Sequence, residues 1–180
     1  MTAAEIGAVV QVGNRWRLSP VVAVQNEYSL YNRSAEADLL PACQRHGIGV
    51  VPYFPLAAGL PSGAYRPDAP APVGSQLAHS PARLATADLE VLRRIPAAAA
   101  GLGRPIADLA LAYLASQPAV ASVVVGASTS EQIRSNARAV TPPLPASVLS
   151  NLQQLPHVAA GYTPFAIRRV TPRFSGRDAP

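Results

Sequence analysis

The chain contains no lysine: all fifteen cationic side chains in its 180 residues are arginines. That absence excludes Schiff-base catalysis, a Walker A phosphate loop and lysine-assisted acid catalysis from within these residues. Cysteine is nearly absent too. The single Cys43 rules out an internal disulfide framework and any multi-cysteine metal site. No apolar run approaches the ~18–20 residues of a membrane span, and the opening MTAAEIGAVV carries no basic n-region. A soluble, cytoplasmic chain with no membrane partner is therefore expected.

Charge is also scarce. Charged residues make up 14% and apolar residues 49%, a balance that argues against intrinsic disorder and for one domain with a modest core. The formal net charge is +5, but Arg168, Arg169, Arg173 and Arg177 in the last twenty residues face only Asp178. A mildly charged body with a basic tail lacks the basic stripe and stacking aromatics of a nucleic-acid-binding domain, so no nucleic acid is expected as a partner.

What is present alternates. Thr2 to Arg17 reads as a helix, with Thr2 as N-cap and Glu5 at capping-box spacing. Val21-Val22-Ala23-Val24 predicts a strand buried on both faces, running into polar Gln25-Asn26-Glu27-Tyr28 at its C-terminal end. Ser34 can cap a helix through His46, with Leu39, Leu40 and Cys43 on its apolar stripe, and Ile48 to Val51 predicts a second strand. Residues 57–85 read as a long loop, the kind that is a functional lid, a binding loop or disordered. A helix follows over 86–102, which Pro96 should kink or split.

Pro105, at the N1 position, opens an amphipathic helix with Ile106, Leu109, Ala110, Tyr113 and Leu114 on one face. Ser122 to Val125 predicts a third buried strand, running into Gly126-Ala127-Ser128-Thr129-Ser130, where Ser130 and Glu131 begin a helix through Ala139. A last short helix is expected over 146–155, and beyond Pro156 proline, arginine and glycine dominate. Strands alternating with helices imply an α/β fold with a parallel sheet. Polar strand ends suit either a (β/α)8 barrel or an open doubly wound sheet.

The stretches QNEYSLYNR and VVGASTSEQIRSN, with the order and spacing of residues 2–155, resemble the aldo-keto reductase family. The resemblance implies the C-terminal part of a (β/α)8 TIM barrel, strands six to eight, with residues 156–180 as a separate disordered tail. It implies a nicotinamide cofactor, NADP by family habit with NAD as the alternative, and carbonyl reduction in the complete protein.

Carried over by position, Gln25 resembles the glutamine that hydrogen-bonds the nicotinamide carboxamide, and Tyr53 the aromatic that stacks on its ring. Leu56 resembles the segment beside the pyrophosphate. Gly126, Ala127 and Ser128 match the turn that meets the adenosine phosphate at a helix N-terminus. Gln132 and Asn136, four apart, are expected to face the adenine together. Arg134 is the nearest cation to the cofactor's 2′-phosphate position and, two residues from Gln132, is expected to point away.

The family's catalytic tyrosine, lysine, aspartate and histidine have no counterparts here, so no catalytic residue is assigned and these residues are expected to be inactive alone. Glu27 and Asp38 are read as structural. His46, His79 and His157 have no partners that suggest a metal. Three strands leave two sheet edges open, so a complementary half-barrel or a homodimer is the expected partner. The rival readings are a non-catalytic assembly module and a cofactor-sensing protein.

Overall fold

The computed structural model describes residues 1–62, 78, 87–99, 103–141, 143–155 and 158. Most of the loop expected over 57–85, and nearly all of the tail expected over 156–180, lie outside the described residues. Helix α1 spans Ala3–Trp16. Its capping box forms as the Thr2-x-x-Glu5 spacing predicts, with the Thr2 hydroxyl accepting from the Glu5 N–H and the Glu5 carboxylate from the Thr2 N–H. Ile6 is buried at 1% exposure where α1 meets the next helix, a contact that stabilises by about 2 kcal/mol.

Strand β1 spans Ala23–Glu27, two residues later than the valine run predicts. Val22 is 72% exposed, so the run is not the buried strand, and Gln25-Asn26-Glu27 lie inside the ladder instead of beyond it. The expected helix from Ser34 to His46 is interrupted. A 3-10 turn covers Ser34–Glu36, and α2 begins only at Leu39–Arg45. Leu39, Leu40 and Cys43 are buried on its stripe, as the spacing predicts. Strand β2, Gly49–Tyr53, pairs parallel with β1 in the register Val24↔Val50, Gln25↔Val51 and Glu27↔Tyr53.

The third strand is where prediction and structure differ most. Residues 119–124 run along β2, with the Val50 N–H donating to the Ala119 carbonyl at 2.7 Å and the Ala121 N–H to the Val50 carbonyl at 2.9 Å. A regular parallel ladder would next use the Val123 N–H on Pro52. The Val124 N–H makes that bond instead, at 3.1 Å, so one extra residue is inserted as in a bulge. Pairing reduces to the single bridge Val50↔Val120, and Val124 is 50% exposed. The valine run is therefore extended but not buried. Gly49 permits the approach: a Cβ there would lie 2.7 Å from the Ala121 Cβ.

Helix α3 spans Leu89–Ala99 and is capped by Asp88, whose Oδ1 accepts from the Glu90 and Val91 N–H groups at 3.1 and 3.2 Å. Pro96 lies inside α3 without splitting it. Helix α4, Ile106–Ala115, starts with Pro105 as its N-cap, one position earlier than expected. Helix α5 covers Ser130–Ala139 and α6 covers Ala146–Gln153. Tyr28, Leu30, Tyr31, Val50, Tyr113 and Leu114 form the centre of one apolar core between the sheet and the helices. Among the described residues no helix is long and apolar enough to cross a membrane.

Candidate functional site

Alternation along the paired strands puts Gln25, Glu27, Val51 and Tyr53 on one face of the sheet and Val24, Val50 and Pro52 on the other, under the helices. Gln25 is exposed, in mid-strand and not at its end. Tyr53 closes β2 half-buried. Burial first, and the Glu27 carboxylate second, push its phenol above the usual range. These two predicted residues therefore share a face of the ladder, Gln25 in mid-strand and Tyr53 at the carboxyl end.

The backbone just beyond Tyr53 is unusual. Phe54, Ala57 and Ala58 adopt φ of 53°, 46° and 57°, left-handed values at three residues that carry a Cβ. Each costs about 1–2 kcal/mol relative to an ordinary conformation. Two tight turns hold them, with the Ala57 N–H on the Phe54 carbonyl at 2.9 Å and the Gly59 N–H on the Leu56 carbonyl at 2.7 Å. Leu56 sits between these residues, partly buried against the core.

A cavity of about 480 Å³ opens between α4, the extended segment and α5. Ala127 and Asn136 are among its walls, with Leu111, Val123 and Ile133 supplying apolar surface. Gln25, Tyr53, Leu56 and Gln132 are not. Gly126 is exposed, and a Cβ there would meet nothing within 4 Å, so the chain itself does not require glycine at that point.

The turn into α5 is a second capping box. Thr129 Oγ1 accepts from the Gln132 N–H at 3.2 Å, and Gln132 Oε1 accepts from the Ser128 N–H at 2.7 Å and the Thr129 N–H at 3.2 Å. Gln132 thus turns back over the helix end and covers the amides expected to meet a phosphate, while Asn136 faces the cavity. Arg134 Nη1 lies 3.3 Å from Ser130 Oγ, one helical turn back on its own face of α5.

Sequence reasoning missed a densely bonded cluster around Arg33 and Glu36. Glu36 Oε1 accepts from Tyr28 Oη and Tyr113 Oη, both at 2.7 Å, and from Arg33 Nε at 3.0 Å; Oε2 accepts from Arg33 Nη2 at 2.9 Å. Arg33 also donates to the carbonyls of Leu152, Gln153 and Leu155 at 2.9, 3.0 and 3.1 Å. Its guanidinium lies over the Tyr113 ring, 5.4 Å from the centroid.

Burial would raise the Glu36 carboxyl, but the hydrogen bonds from Arg33, Tyr28 and Tyr113 outweigh it and hold the group below the ordinary carboxylate range. Burial, then the Glu36 charge, pushes the Tyr28 phenol well above its usual value. Tyr113 is pushed up by burial and by its hydrogen bond to Glu36. Glu27 is 5% exposed and accepts from Asn32 Nδ2 at 3.1 Å, the structural role read from sequence. Among the described residues no three His, Cys, Asp or Glu side chains gather as a metal site.

The aldo/keto reductase family model matches residues 2–156. A probable voltage-gated potassium channel subunit beta of Arabidopsis thaliana is 37% identical over 147 residues, covering 77% of this chain and 44% of that protein. The L-glyceraldehyde 3-phosphate reductase of Escherichia coli K12 is 32% identical over 139 residues, 73% of this chain and 40% of the relative. An uncharacterized oxidoreductase of Bacillus subtilis is 32% identical over 151 residues, 83% of this chain and 45% of the relative. The chain spans less than half the length of each of these. Its parallel α/β architecture and these matches agree: the chain belongs to the aldo/keto reductase family, oxidoreductases of the (β/α)8 barrel class that generally use NAD(P)H.

Proposed function

We propose that these residues are the cofactor-binding part of a nicotinamide-dependent carbonyl reductase, corresponding to strands six to eight of its barrel. The observation that carries this reading is the register of β1 on β2, which sets Gln25 and Tyr53 on one face, with Tyr53 at the strand end. When bound, the cofactor supplies the hydride. The chain's own residues bind and orient. The Gln25 amide can both donate to and accept from a carboxamide, and the Tyr53 ring offers a flat face for stacking. The left-handed turns around Leu56 support a close backbone approach beside the pyrophosphate, since strain of this kind is retained where the surroundings need it.

Gly126, Ala127 and Ser128 lead into α5 on the side where Asn136 lines the cavity, which supports an adenosine subsite there. Ligand binding would require Gln132 to release the Ser128 amide. NADP is preferred over NAD on the family's habit, with Arg134, in contact with Ser130 in the first turn of α5, as the cation available for a 2′-phosphate.

A phenol–lysine pair cannot be assembled from residues that include no lysine. Acid catalysis belongs to residues outside these 180, and this polypeptide by itself does not reduce carbonyls. Titration of NADPH fluorescence against the chain should saturate, bind more tightly than NADH, and weaken about tenfold in Tyr53→Ala, the loss of one stacking contact worth about 1.4 kcal/mol. Non-saturable fluorescence with both nucleotides would sink the proposal.

A second reading is an assembly module, one half of a barrel that pairs with a complementary half or with another copy. Exposed Val22 and Val124, at 72% and 50%, support it because they lie at the two outer sides of the sheet, before β1 and on the segment beside β2. Native mass spectrometry tests this reading, with a monodisperse monomer as the adverse result.

A further inference from the structure

We propose that α6 is a latch, docking and undocking as a unit, and that Arg33 is its catch. The side chains of α6 that reach the core are Val148 and Leu152, buried at 8% and 1% exposure, and Leu149, partly buried against it. Polar attachment comes from one place. Three carbonyls at its C-terminal end, those of Leu152, Gln153 and Leu155, all accept from the Arg33 guanidinium. The Leu152 carbonyl also accepts from the Leu155 N–H at 3.2 Å, and a cation at that end meets the negative pole of the helix dipole.

The catch is assembled without the latch. Arg33 and Glu36 are three residues apart on one loop, and Glu36 is held further by Tyr28 and by Tyr113 of α4. None of these partners lies in α6. When α6 leaves, the Arg33–Glu36 pair persists, Nη1 returns to water, and the helix carbonyls do the same. Both states then satisfy their polar groups, which is what a two-state element requires. A helix built into the global core would instead leave a buried charge unpaired on departure.

The same loop also holds α3, where the Asp88 N–H donates to Tyr31 Oη at 2.7 Å. Tyr31 and Arg33 therefore fix two helices from adjacent positions. Only the Arg33 attachment is to carbonyls at a helix end, with the helix offering no side-chain bond in return among those described.

Hydrogen exchange on the full chain, followed by mass spectrometry of peptides, tests this. In the wild type, amides of α6 should exchange at least about tenfold faster than those of α2 and α4, through local opening. Arg33→Met should accelerate α6 about a further hundredfold, and well beyond any acceleration of α2 and α4, the loss expected for charge-assisted hydrogen bonds. Leu152→Ala, which leaves the catch intact, should open the same peptides. The double variant should exchange faster than either single one, up to the unprotected rate, because both changes weaken one docking equilibrium. Equal exchange of α6, α2 and α4 in the wild type would overturn the proposal. So would unchanged α6 protection in Arg33→Met, acceleration of α2 and α4 equal to that of α6 in that variant, or an Arg33→Met chain that fails to fold, which would place Arg33 in the global core.

Discussion

At the end of β1 and in the loop after it, the polar Glu27, Ser29, Asn32 and Arg33 are buried at 7% exposure or less, whereas in the segment after α4, Val124 is 50% exposed and Ile133 beyond it 60%. The two regions reverse the usual distribution of polarity. The first can be buried because its groups satisfy one another. Asn32 bonds Glu27, Ser29 accepts from the Asn32 N–H, and Glu36 collects two phenols and a guanidinium. The second is exposed because a one-residue bulge leaves only one bridge to β2 and no described strand covers the far side. Internal completeness marks the loop as framework, and its lack in the valine segment marks a surface that needs a cover.

The sharpest way to break this contrast is to remove Glu36. Glu36→Ala leaves the Arg33 charge and two phenols without their acceptor, and should cost about 3 kcal/mol in urea unfolding, as for other broken buried pairs. The charge also predicts a pH dependence. Because the folded carboxyl lies below its unfolded value, its stabilisation is present above roughly pH 4.3 and lost as pH falls through the folded value. Tyr28 and Tyr113 are shifted up, so their contribution is present below roughly pH 10 and lost as pH rises through their folded values. Glu36→Gln should flatten the acid arm of the stability profile. An unchanged acid arm would mean that the carboxylate is not what holds the loop.

Gly49 sharpens the other side of the comparison, since it is where the valine segment touches the ladder. Gly49→Ala forces a Cβ to within 2.7 Å of the Ala121 Cβ and should cost about 1–3 kcal/mol by overpacking. Ala121→Gly in the same chain should restore most of that loss. Absence of rescue would show that the cost arises elsewhere than at this contact.

Legibility in the sequence follows the same division. Local signals were readable: Thr2 with Glu5, the stripe of Leu39, Leu40 and Cys43, and the start of α4 at Pro105 to within one residue. The shift of β1 was not, because Gln25-Asn26-Glu27 looks like a strand end until Asn32, five residues on, pairs with Glu27. The Arg33–Glu36 spacing is visible, but the carbonyls Arg33 bonds lie about 120 positions away and no local pattern announces them. The bulge between Val120 and Val124 is equally hidden in a uniform valine run. At the candidate site, Gln25 and Tyr53 fall on one face as the strand pattern allows. The helix starts at Ser130 as expected, and Gln132 is turned to its cap by a Thr-x-x-Gln spacing that the expected adenine contact does not use.

That cap yields a smaller expected effect. Thr129→Ala removes the acceptor for the Gln132 N–H and should cost about 1 kcal/mol. If Gln132 shields the Ser128 amide from phosphate, Gln132→Ala should lose similar stability through the other half of the box. It should also alter NADPH affinity in the titration. A change in stability with no change in affinity would assign the residue to the helix alone.

The smallest effect on stability should accompany the most informative effect on assembly. Val124→Thr alters a side chain already half in water, so unfolding free energy should move by no more than about 0.5 kcal/mol. If the exposed valines are the covered face of a larger sheet, the same change, combined with Val22→Thr, should lower self-association measured by light scattering. Apolar area withdrawn from water drives association, and a hydroxyl there would be buried without a partner. Glu36→Gln, by contrast, should leave association untouched, because its charge lies inside a loop that is already complete. Association that responds to Glu36 and not to Val22 and Val124 would reverse the assignment of framework and interface between the two regions.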